Sequence, residues 1–173
     1  MRQQSDVLNV FKPLVGLELA IARDAADTKN FQFGQIRPHP SGKGTVGQYA
    51  LHVSCPWRIT GPLGIVTGSS DRHENPASGE VVDEEDWAGS DLQAKKLSEL
   101  FGGSDLETRS IVNVGPLLIV EAIKTDEHGG IELILSGGYS LQIFPDGSGQ
   151  EEAWRLFIPG NKTSHFVFPE EPT

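Results

Sequence analysis

The chain has 173 residues, enough for one domain with its own core and too few for two ordinary ones. Its formal net charge of −10 repels phosphate backbones and anionic lipid, which argues against nucleic acid and membrane surfaces and for a basic protein partner, although acidity also serves solubility alone. The single cysteine excludes an internal disulfide, and no apolar run approaches the ~20 residues that span a bilayer, so a cytoplasmic protein is expected.

In chain order, Ser5 and Asp6 can cap a short N-terminal helix. Its Val7, Val10, Phe11 and Leu14 share a face, Pro13 sits near its end and Gly16 stops it; a strand would bury the same residues. Period-two segments follow. "LELAIARD" places Leu17, Leu19 and Ile21 on one side, "KNFQFGQI" places Phe31 and Phe33 on one side, and the residues between them form a turn. "RPHPSGKG" is a loop by its proline and glycine content. "QYALHVSCPWRIT" turns Tyr49, Leu51, Val53, Cys55, Trp57 and Ile59 inward, and "GIVTGS" returns after the turn Gly61-Pro62-Leu63-Gly64.

Residues 69–86 are polar, acidic and rich in turn formers, the pattern of a long loop. A helix is expected near 90–101, with Ser90 as N-cap, Gln93 completing a capping box, a face of Ala94, Leu97, Leu100 and Phe101, and Gly102-Gly103 as the stop. Five further strand-like runs follow. Turns at 128–130, 137–138 and 146–149 separate the first four, and connections this short imply antiparallel neighbours. The last run is "HFVFP", and residues 169–173 form a frayed tail. The expected fold is a single α+β domain over 1–173, mainly antiparallel, with eight or nine short strands in a roll or sandwich.

Two motifs invite a chemical reading. Gly42, Gly44 and Gly47 spell G-x-G-x-x-G, the pattern of a dinucleotide loop. That loop follows a strand and opens a helix, whereas here a proline-rich stretch precedes the motif and a strand pattern follows, so a hairpin loop is expected and no cofactor. Cys55 and His52 look like a thiol and its base, but side chains three apart in a strand point to opposite faces, so an inert thiol is expected.

His52, Ser54 and Arg58 share the other face of that run. They form the candidate small-molecule or anion site, joined by Arg37 or His73, against the plainer reading of a solvated sheet face. In the acidic loop, Asp71, Glu74, Asp83, Glu84, Glu85 and Asp86 are the candidate contacts for a basic partner. Their spacing fits no metal motif, and His39, His128 and His165 share no ligand spacing, so no metal is expected. The absence of any convergent catalytic set points away from an enzyme and toward a binding protein.

The segments "FQFGQIR", "ALHVSCPWRITGP", "GSSDRH", "LSGGYSLQIFPD" and "WRLFIPG…HFVFP" resemble, in order over roughly residues 17–168, a group of uncharacterised bacterial proteins. The resemblance implies a single cytosolic bacterial domain and carries no activity, cofactor or catalytic residue with it. In size and acidity alone the chain is also similar to small proteins that neutralise secreted bacterial toxins, which implies an immunity-like partner.

Overall fold

Alternating apolar and polar residues, cut by glycine and proline, dictate a sandwich. A computed structural model describes residues 4–75 and 90–170. Among these are fourteen strands, all paired antiparallel, and two α-helices. The strands are β1 (Leu19–Ala25), β2 (Thr28–Phe33), β3 (Arg37–Pro38), β4 (Thr45–Val46), β5 (Tyr49–Val53), β6 (Trp57–Gly61) and β7 (Gly64–Gly68). They continue with β8 (Gly102–Asp105), β9 (Ser110–Asn113), β10 (Val120–Thr125), β11 (Ile131–Leu135), β12 (Tyr139–Ile143), β13 (Trp154–Phe157) and β14 (Phe166–Phe168). One sheet has the order β14-β13-β5-β2-β1-β9-β8 and the other β10-β11-β12-β6-β7, while β3 and β4 pair only with each other.

The run from Tyr49 to Thr60 links the two large sheets. It is extended, but β5 belongs to the seven-stranded sheet and β6 to the five-stranded one. Pro56 lacks an N–H for a ladder and sits at the corner between them. Ser54 and Cys55 both donate their N–H to Ala153 O, at 2.8 and 3.2 Å, and Pro56 O accepts from the Phe144 N–H at 2.8 Å. The alternation survives the corner: Leu51, Val53, Trp57 and Ile59 all enter one core, where Trp57 meets Phe31 of the facing sheet edge-on at 4.9 Å. Burying each such side chain contributes about 1.5–3 kcal/mol.

The helices cover the sides of the sandwich. α1 (Gln4–Phe11), extended by a 3-10 turn over Lys12–Leu14, packs on β10 and presses Phe11 edge-on to Trp154 at 5.3 Å. α2 (Leu92–Phe101) packs on β7, β8 and β9 and buries Ala94, Leu97 and Phe101. The N-cap is Asp91, not Ser90: its side chain accepts from the Ala94 N–H at 2.7 Å. Gln93 therefore forms no capping box and instead donates to Gly68 O at 2.9 Å. Gly102, at φ 82°, ends the helix in the left-handed conformation expected of it.

Three further features differ from the sequence reading. A β-bulge between Leu19 and Ile21 reverses the facing, so Leu19 and Ala22 join the core while Ile21 lies on the outer side opposite Gln32. The connection after β12 is not a hairpin, because β12 pairs with β11 and β6 whereas β13 pairs with β5 and β14. Ten residues, Phe144 to Ala153, separate them, enough to cross between sheets. The pair β3–β4 lies in a stretch rich in proline and glycine, and in the pair β8–β9 the first strand, Gly102–Asp105, has no apolar residue, so local alternation marks neither pair.

Candidate functional site

Antiparallel register decides which polar side chains meet. Arg23 of β1 pairs with Asn30 of β2, Asn30 with His52 of β5, and His52 with Arg155 of β13. Directly opposed residues hold their Cβ atoms about 4.5–5.5 Å apart, so these four form a row on the outer face of the seven-stranded sheet. Next to it Gln32 lies between Ile21 and Ala50. At the β13 end Glu152 grips Arg155 through bonds of 2.9 and 2.7 Å, and Arg155 Nη1 donates to His165 Nδ1 at 3.1 Å. The His52 ring meets Phe157 edge-on at 4.9 Å, and Phe157 stacks on His165.

Two shifts follow from this setting. Burial, then the nearby Arg23 charge, hold the His52 imidazole below its ordinary value; Glu152 opposes them, and Arg155 and His165 add to them. Burial also pushes the Arg23 guanidinium down, with the Asp105 carboxylate pulling the other way. His52 is thus a neutral imidazole at neutral pH, with one donor and one acceptor nitrogen.

The glycine motif forms an arm over this face. The turn between β3 and β4 is closed by His39 N–H to Gly44 O at 2.9 Å, and Gly42 and Gly44 take φ of 81° and 73°. No helix follows, so the motif is a hairpin, as the strand pattern after it implies. Gly47 approaches the sheet so closely that a Cβ would stand 2.7 Å from Phe33 O. Its N–H reaches Gln32 Oε1 at 2.7 Å, and Thr45 ties the arm to Asp105 at 3.2 Å.

The structure does not bring His52, Ser54 and Arg58 together. Arg58 lies on the outer side of the five-stranded sheet, where its Nε donates to Gln142 Oε1 at 2.6 Å and its guanidinium covers the Phe144 ring at 5.2 Å. Ser54 sits at the corner between the sheets, on the wall of a separate cleft. Arg37 and His73 are exposed, Arg37 on the arm and His73 after β7. The cause is the sheet switch at Pro56, which one-strand geometry cannot anticipate.

That cleft, about 1050 Å³, opens between the Ser54–Cys55 corner and segments 127–128, 145–153 and 168–170. Its lining carries five carboxylates, those of Glu127, Asp146, Glu151, Glu152 and Glu170, and no lysine or arginine. The Phe168 ring forms part of the wall, stacked on Trp154 at 5.4 Å. Among the described residues no three of His, Cys, Asp or Glu gather closely enough to hold a metal ion, so the cleft's charge is spread along it. Cys55 lines it too; burial first, then the Asp146 carboxylate, push its thiol up to about 11 against the pull of backbone N–H groups. That thiol is protonated at neutral pH.

Of the acidic-loop candidates, Asp71 is engaged within the fold, its Oδ2 accepting from Thr67 Oγ1 at 2.8 Å. Glu74 is exposed, and Asp83, Glu84, Glu85 and Asp86 lie outside the described residues. Among the described residues no helix is long and apolar enough to cross a membrane. Compared with protein-family models, curated proteins and solved structures, the chain matches none. The sequence reading missed Arg23, Asn30 and Gln32 because their partners come from other strands. It missed the cleft because its carboxylates come from a turn, a crossover loop and the tail.

Proposed function

We propose that this protein is a binding protein whose acidic cleft takes a lysine- or arginine-rich segment of a protein partner, as an immunity-like protein would. The observation that carries the reading is the cleft's lining: five carboxylates, one accessible aromatic ring and no basic side chain other than His128. Spread carboxylates suit a polycation better than a single ion, and a ring beside them adds a cation–π contact. The net charge of −10 steers a basic partner toward the molecule from a distance. Asp146, Glu127 and Glu151 are exposed and can meet a ligand directly, whereas Glu152 is already committed to Arg155.

The test is fluorescence anisotropy of a labelled lysine hexapeptide against the full chain. Binding that weakens steeply as salt rises, and at least about tenfold in a Glu127→Gln, Asp146→Asn, Glu151→Gln variant, supports the reading. Binding that ignores both salt and these substitutions refutes it.

A further inference from the structure

The outer row of the seven-stranded sheet joins charge to burial in a way that stability does not explain. Arg23 forms no hydrogen bond and no ion pair within the described residues, and Asp105 is only a longer-range neighbour. Beside it Asn30 is 2% exposed, and its Oδ1 meets no donor. Two residues on, Gln32 gives Oε1 to the Gly47 N–H and leaves Nε2 without an acceptor. Buried amides without partners are costly and uncommon, and a guanidinium held by nothing next to one is the arrangement of a site that expects a ligand.

We propose that this row is a phosphate site, in which Arg23 and His52 donate to phosphoryl oxygens and Asn30 Oδ1 accepts the P–OH proton. Arg23 supplies a planar fork of donors and a fixed positive charge. His52 adds one ring N–H. An acceptor as well as donors selects an oxyanion that keeps a proton: inorganic phosphate carries at least one at neutral pH, whereas a phosphate monoester, with a second pKa of about 6, carries one only in its monoanion. Sulfate has no such proton, and a carboxylate brings only two oxygens and none to donate. Asp105 and Glu152 oppose the anion, and the pair of Glu152 with Arg155 leaves Arg23 as the main attraction. The site is distinct from the acidic cleft, which carries the opposite charge, and Glu152 borders both.

Calorimetry of the full chain with inorganic phosphate, glycerol phosphate and sulfate, at matched ionic strength, tests this. Phosphate or its ester binding at least about tenfold tighter than sulfate supports the site, and the tighter of the two identifies the source. Arg23→Gln weakens that binding at least about tenfold, while Arg58→Gln, on the opposite sheet, leaves it unchanged. Backbone amide shifts of the wild-type protein on adding phosphate should centre on residues 23, 30 and 52, a readout that needs no variant. No binding at millimolar phosphate, equal affinity for sulfate, an unaffected Arg23→Gln protein, or shifts centred elsewhere would each overturn it.

Discussion

Replacing Asn30 by leucine should make the protein more stable and less able to bind phosphate. Asn30 sits on a central strand at 2% exposure with its Oδ1 unpaired. Leucine has similar shape and no polar atom, so the substitution removes the desolvation penalty of an unmade hydrogen bond, about 1–3 kcal/mol. Leucine also suits a strand better than asparagine, which acts in the same direction. For a chain of this length each kcal/mol moves the melting temperature by about 2–4 °C, so a rise of roughly 2–12 °C is expected. Urea unfolding should show a higher midpoint with an unchanged slope, the signature of a stability change alone. Calorimetry on the same variant should show the phosphate response lost. A variant destabilised by 1 kcal/mol or more would refute the reasoning, because it would mean that the Asn30 amide is satisfied in the native protein. Gln32→Leu is the contrast: it also removes a bond to the Gly47 N–H and should not stabilise.

His52 gives a pH signature. Its folded value lies below the unfolded value of about 6.5, so the unfolded chain binds more protons in that window. Stability present above pH 6.5 should therefore fall as the pH drops toward the folded value, and His52→Phe should flatten this part of the curve; the groups facing the ring are Arg23, Glu152, Arg155 and His165. An unchanged curve in His52→Phe would refute the assignment. Trp154→Phe should cost about 2–4 kcal/mol in urea unfolding, because it leaves a cavity beside Phe11 and strips the Gly129 carbonyl of the indole N–H that reaches it at 2.8 Å; a loss under 1 kcal/mol would contradict this. Cys55, pushed up to about 11, should react with iodoacetamide at pH 7.5 on the order of a hundredfold slower than free cysteine, and a rate equal to free cysteine would count against a protonated thiol.

The fold was legible where one strand carries its own pattern. The antiparallel class, the C-terminal hairpins β10–β11 and β11–β12, the face of α2 and the inward row from Leu51 to Ile59 follow from alternation and turn residues. Features that depend on pairing were not. The bulge after Leu19 and the crossing between β12 and β13 leave no local trace, since both are set by which strand lies alongside. The switch at Pro56 put Arg58 on a different sheet from His52, although alternation correctly kept Cys55 and His52 apart. Of the site, His52 was visible as the polar residue of an otherwise apolar strand; its companions Arg23 and Asn30 stand 29 and 22 positions before it in the sequence and become neighbours only through register.

The most direct measurement of what the protein does is an amide shift map with the lysine hexapeptide bound. The acidic cleft predicts perturbations confined to the Ser54–Cys55 corner and to residues 127–128, 145–153 and 168–170. Perturbations centred instead on Arg23 and His52, or scattered over both sheets, would contradict it.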